Sequence, residues 1–207
     1  MPRTSGQDRR ESPRERRERR ALIDDPEIVL NAAARFLEAR SRSVHELRRH
    51  LTQAGYRADL VEAAVIRLTE LGMLDDATFA RTWVESRDRA RPRSEVALRR
   101  ELALKGIDRE LAAEVLDERR SGHFGAGDAG GAAVGDAGNG PDLAAAERLL
   151  AKRGGALARI ADPRARRQRA YALLARNGFD PEVCREATNR FLAAAAEPAA
   201  QPASWDD

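Results

Sequence analysis

The amino-acid sequence predicts an all-α protein of three tandem three-helix repeats, with disordered termini and a Gly-rich linker before the third repeat. Three observations carry this reading. No stretch sustains the apolar/polar alternation of a half-buried strand, whereas apolar residues recur at helical spacing through most of the chain. A Leu-Arg-Arg-x-Leu-x-x-x-Gly pattern occurs in LRRHLTQAGYRADLVEAAV (Leu47 to Val65) and again in LRRELALKGIDRELAAEVL (Leu98 to Leu116), and such self-similarity marks a repeat architecture. A weaker third copy, AYALLARNGFDPEVCREAT, places Leu174, Gly178, Phe179 and Val183 at the matching offsets.

Each element follows from local chemistry. Residues 1–24 hold few apolar side chains and cannot offset chain entropy by burial, which predicts a disordered Arg-rich arm. Repeat 1, residues 25–74, opens at Asp25-Pro26, an N-cap followed by proline at the first helical position. Ser43 and Glu46 form a capping-box pair ahead of Leu47 and Leu51, and Gly55 supplies a left-handed stop. A third helix runs from about Arg57 to Leu71. Repeat 2, residues 75–120, begins with Asp75 and Asp76, one of which caps the helix bearing Phe79 and Trp83; these four residues read as cap and core. Its middle helix ends at Gly106. Residues 121–141 have the Gly/Ala composition of a flexible linker. Gly55, Gly106 and Gly178 lie 51 and then 72 residues apart, and the excess of 21 equals that linker. Repeat 3 covers residues 142–195, and residues 196–207 form a Pro/Ala-rich tail read as disordered.

Composition narrows the functional classes. The chain has 207 residues, with 37 Lys or Arg against 34 Asp or Glu, and all but Lys105 and Lys152 of the basic residues are Arg. A net charge of +3 is small for a protein that coats nucleic acid through bulk charge. A single cysteine, Cys184, excludes an internal disulfide framework and a multi-cysteine zinc site. No apolar run approaches the roughly 18 residues of a membrane helix, and the charged start lacks the apolar stretch of a secretory signal. The expectation is a cytoplasmic protein with no membrane contact.

No reaction centre emerges. Gly125 to Gly130 spells G-x-G-x-x-G, but no strand precedes it and no helix pattern follows, so it reads as coincidence within the linker. His45 and His50 lie about 140° apart round one helix, which suits a shared metal poorly, and His123 stands at the linker's edge. Neither a catalytic residue, a metal site nor a cofactor is expected.

The arginines are more informative. They concentrate on the middle helices (Arg48, Arg49, Arg99 and Arg100) and in the segment before the second of these (Arg87, Arg91 and Arg93). The third helices of repeats 1 and 2 are acidic or mixed, with Asp59, Glu62 and Glu70 in one and Asp108, Glu110, Glu114, Asp117 and Glu118 in the other. A helix-turn-helix reader places its later helix beside phosphates, which would repel these acids.

The run Leu74-Asp75-Asp76, Phe79-Ala80, Trp83-Val84 and Arg87, leading into Leu98-Arg99-Arg100-Glu101-Leu102 and Lys105-Gly106-Ile107, resembles the RecX recombination regulators of bacteria. The Ser43–Glu46 box with Leu47, Leu51 and Gly55, and Gly178-Phe179 in the third repeat, fit the same pattern. The resemblance spans about residues 26–195 apart from the linker. It implies an elongated, curved array of three repeats that binds the RecA filament on DNA and mainly inhibits its assembly, ATP hydrolysis and strand exchange. That is a role in DNA repair, recombination and the SOS response, without enzymatic activity. By this reading the chain is a monomer whose Arg48, Arg49, Arg87, Arg91, Arg93, Arg99 and Arg100 contact the filament, with only weak unselective DNA contact. The alternative is an independent helix-turn-helix-like DNA-binding regulator, which would bind duplex selectively and with steep salt dependence.

Overall fold

The computed structural model describes residues 11–122 and 140–196, all regular structure among them being α-helical. The helices are α1 (Pro13–Ala21), α2 (Pro26–Glu38), α3 (Val44–Ala54), α4 (Ala58–Glu70), α5 (Asp76–Ala90), α6 (Glu95–Leu104), α7 (Arg109–Arg120), α8 (Gly140–Ala158), α9 (Pro163–Arg176) and α10 (Pro181–Ala196). The G-x-G-x-x-G run, His123 and the tail from residue 197 lie outside the described residues, as does most of the linker.

The chain divides into two compact units, one holding the residues up to Phe79 together with Lys105–Ile107, the other Ala80–Leu104 and the chain from Asp108 onward. The core of the first unit is formed by Val29 and Ala33 of α2, Leu47 and Leu51 of α3, Val61, Ala64, Val65 and Leu68 of α4, and Leu74. Leu47 and Leu51 are fully buried, each worth about 2 kcal/mol of apolar transfer. They sit four residues apart, so both fall on one face of α3. In the second unit the largest core gathers Leu149 and Leu150 of α8, Ala170 and Leu174 of α9, and Val183, Cys184 and Ala187 of α10. Leu98, Leu102, Val115 and Leu116 of α6 and α7 are also fully buried.

Lys105–Ile107 belongs to the first unit for a physical reason. Ser43, fully buried at the N-cap of α3, accepts the Glu46 N–H at 3.1 Å and donates its hydroxyl to the Lys105 carbonyl at 2.6 Å.

Four local expectations are corrected. The arm read as disordered carries α1: Ser12 and Glu15 satisfy each other's backbone donors in a capping box, and Arg14 pairs with Glu18 one turn on at 2.7 Å. Polar helices need no buried face when caps and ion pairs supply the stabilisation. α8 starts at Gly140, within the stretch assigned to the linker. The Ser43–Glu46 box is half-formed, because the Glu46 carboxylate turns instead to Arg40 and Lys105. Trp83 is half-buried at the surface rather than in the core.

Candidate partner-binding surface

The seven arginines singled out by sequence divide by what they touch, and each unit is described by itself. In the first unit, Arg48 on α3 donates two hydrogen bonds of 2.8 Å to Glu62 on α4. Both side chains stay about half exposed, so the pair is readily exchanged for an outside partner. Arg49, the next residue on α3, is exposed and makes no ion pair among the described residues.

In the second unit, Arg87 and Arg93 belong to a compact cluster. The Arg87 guanidinium lies 4.2 Å from the Trp83 ring centre and donates to Glu101 at 2.6 Å, while the Trp83 indole N–H donates to the same carboxylate oxygen at 3.0 Å. Arg93 donates to Asn177 Oδ1 at 2.9 Å and approaches Glu101 at 3.5 Å. Trp83 and Arg87 are four apart on α5, a spacing that stacks neighbours on a helix face. Arg99 pairs with Glu95 one turn earlier at 2.9 Å. Arg91 and Arg100 are exposed, with no ion pair among the described residues. Arg49, Arg91 and Arg100 are thus the open cations of the set.

The signature residues act locally. Asp75 caps α5, accepting the Ala77 N–H at 2.8 Å and the Thr78 hydroxyl at 2.5 Å. Phe79 is buried. Asp76 caps a different helix, accepting the Val44 N–H at the start of α3 at 2.9 Å. Burial pushes its carboxyl above the usual carboxylate range, against the opposing pull of that N–H and of Arg48. Gly55, Gly106 and Gly178 all take positive φ at turns that follow middle helices.

Two features escaped the sequence. The first is a second-unit hub around Arg119 of α7, whose side chain is 2% exposed. It donates to both oxygens of Asp88 at 2.8 and 3.0 Å and to Asp142 of α8 at 2.9 Å. Asp142 in turn accepts the Glu95 N–H that opens α6, at 3.0 Å. The second is Glu46, which burial alone would raise but which hydrogen bonds from Arg40 and Lys105 hold at about 2. The i,i+4 pairing of Trp83 and Arg87 was visible in the sequence. The Arg119 hub joins residues 31 and 23 positions apart, and no local pattern marks it.

Among the described residues, no three His, Cys, Asp or Glu side chains are grouped as metal ligands would be, and no helix is long and apolar enough to cross a membrane. Cys184 is buried, and burial together with Asp180 raises its thiol. His50 stacks on Phe36 with ring centres 3.8 Å apart, and burial, then Arg42 and Arg20, lower its imidazole.

Fold and surface together define a helical-repeat protein with arginines open at its surface. Family models for the first, second and third three-helix domains of RecX match residues 30–68, 75–116 and 141–188, more than half of the chain between them. The chain is 37% identical over 94 residues to the Regulatory protein RecX of Prosthecochloris aestuarii, covering 45% of this chain and 62% of that protein. It is 42% identical over 82 residues to that of Mycobacterium avium, covering 40% and 47%. The chain thus spans about half the length of the curated relatives it matches. The crystal structure of RecX from Lactobacillus salivarius has the same fold, with a TM-score of 0.61 at 17% identity over 83% of this chain and 99% of that one. A second RecX crystal structure gives 0.58 at 16% identity, over 79% and 71%. The chain belongs to the RecX family of regulatory proteins.

Proposed function

We propose that this protein binds the RecA recombinase filament on DNA and restrains its assembly, ATP hydrolysis and strand exchange in the cytoplasm, acting as a modulator without a catalytic step of its own. The observation that carries the reading is the succession of three RecX domain matches along one chain. The surface is compatible with it. Arg49, Arg91 and Arg100 are open, and Arg48 and Arg99 are held only by exposed ion pairs, so these five are the contacts we assign. Arg87 and Arg93 are instead engaged within the second unit, in the cluster with Trp83 and Glu101. Surfaces of both signs suit a protein filament, where complementary charge speeds and orients docking.

The acidic helices α4 and α7 disfavour duplex reading as the main activity, since Glu62, Glu114 and Asp117 would face phosphates. The test adds substoichiometric protein to RecA on single-stranded DNA and follows ATP hydrolysis. Inhibition that weakens at least several-fold with Arg49→Glu and Arg100→Glu, at unchanged thermal stability, is expected. An unchanged ATPase at micromolar protein removes the reading, and tight selective duplex binding would replace it with the helix-turn-helix alternative.

A further inference from the structure

α1 is built like the middle helix of a repeat that the described chain does not otherwise contain. The middle helices α3 and α6 each start on a serine whose hydroxyl accepts a backbone N–H three residues on, Glu46 to Ser43 at 3.1 Å and Ala97 to Ser94 at 3.2 Å. α1 starts the same way, with the Glu15 N–H donating to Ser12 at 3.2 Å. The starts of α3 and α6 are each covered by the glycine turn that ends the next middle helix. A Cβ on Gly178 would stand 2.9 Å from Ser94 Oγ and 3.1 Å from Ala97 Cβ, and one on Gly106 would collide with the His45 side chain. Gly55, which ends α3, also meets a helix, but further along it: a Cβ there would stand 2.8 Å from the carbonyl oxygen of Arg17, at the middle of α1. Three glycine turns therefore each rest on a helix, two on its start and Gly55 on the middle of α1.

α1 also copies another helix of the chain. PRERRER from Pro13 matches PRARRQR from Pro163 at five of seven positions. Both begin with proline, so neither presents the first N–H that Asp76 takes from Val44 and Asp142 takes from Glu95. α9 is the last middle helix, and no glycine turn covers its start among the described residues. Arg164, Ala165, Arg167 and Gln168 are exposed there, beside a depression of about 340 Å³ bordered by Leu192 and Ala195. The receiving end of α3 is a helix C-terminus, which attracts cations. Arg20 already donates to the Ala54 carbonyl at 3.3 Å and lies 5.5 Å from the Tyr56 ring centre. The start of α9 suits that end better in charge, having Ala165 and Gln168 where α1 has Glu15 and Glu18. α1 buries none of its residues, so its advantage is its covalent attachment and the local concentration this gives.

We infer that α1 is a displaceable cap on the Gly55 turn, and that the occupant it excludes is the start of α9 from a second copy of this chain. Releasing α1 lets copies join head to tail, a heterologous contact that extends without closing. The test uses the full chain carrying Arg17→Glu and Arg20→Glu, which sets two acids against the negative end of α3, in sedimentation velocity over a wide concentration series. Wild type is expected to sediment as one species throughout. The double variant shifts to larger species with half-association at about 10–100 µM, as befits a small interface. Adding Arg164→Glu and Arg167→Glu restores the single species.

A double variant that keeps the wild-type helical signal and stays a single species overturns the proposal, and so does association that survives the α9 substitutions. If the double variant loses helical signal, the wild-type chain titrated with a peptide of residues 162–170 decides the matter. Hydrogen-exchange protection of α1 falls with the peptide, and not with the same peptide carrying Arg167→Glu, if the cap is displaceable. Protection unaffected by the peptide overturns it.

Discussion

Arg119 grips Asp88 through two parallel hydrogen bonds of 2.8 and 3.0 Å, with the arginine side chain almost wholly removed from water. Burial opposes the guanidinium charge, but Asp88 and Asp142 outweigh it and raise its proton affinity further. Such a pair contributes modestly as a whole, yet removing one member leaves uncompensated charge in a poorly solvated site. Arg119→Met is therefore expected to destabilise the chain by about 3–5 kcal/mol, read as a lower denaturant midpoint. Adding Asp88→Leu to it recovers part of the loss, because one orphaned carboxylate is then gone.

Asp76 behaves in the opposite sense to a salt-bridged acid. Its folded carboxyl lies above the usual value because burial penalises the charged form. The folded state accordingly holds that proton more tightly than the unfolded state, so its contribution to stability is largest at low pH and declines as pH rises through the raised value. Asp76→Asn keeps an acceptor for the Val44 N–H without the charge and is expected to be near neutral in stability at pH 7. Asp76→Ala removes the acceptor and costs about 1 kcal/mol. Denaturation of both variants at pH 4 and pH 7 checks the sign.

How much of this was legible beforehand depends on the range of each interaction. The caps at Asp25 and Asp75 and the glycine stops at Gly55, Gly106 and Gly178 are local, and the helices begin and end at them. The buried stripe of Leu47, Leu51, Leu98 and Leu102 was likewise visible as spacing. α1 was missed because its support is polar, resting on Ser12, Glu15 and Arg–Glu pairs rather than on apolar periodicity. The arginines show the limit most clearly. Arg48, Arg87 and Arg93 look the same in sequence as Arg49, Arg91 and Arg100, and only the fold brings Glu62 and Glu101 to the first group, whereas Glu95 reaches Arg99 by plain i,i+4 spacing on α6.

Glu46 sets an acid limb on stability. Burial works to raise its carboxyl, but Arg40 and Lys105 pull it from 4.5 down to about 2. A depressed folded value means stability that is fully present above the unfolded value and lost as pH falls through the folded one. The stability of the chain is therefore expected to decline between about pH 4.5 and pH 2 by up to about 3 kcal/mol from this group. Glu46→Gln flattens that part of the pH profile and lowers stability at pH 7, measured by urea titrations across the range.

Glycine positions test the inter-helix contacts separately from backbone strain. Gly72 and Gly178 both take positive φ, +67° and +87°. Around Gly72 a methyl group would meet nothing within 4 Å, so Gly72→Ala costs only the left-handed backbone penalty of about 1 kcal/mol. At Gly178 the added carbon would also press on Ser94 Oγ and Ala97 Cβ at 2.9 and 3.1 Å, both at the start of α6 and held by the backbone of that helix. Gly178→Ala is expected to cost at least about 1 kcal/mol more than Gly72→Ala, the typical penalty for overpacking a close contact. Equal costs in thermal and denaturant unfolding would mean that the Gly178 turn does not bear on α6.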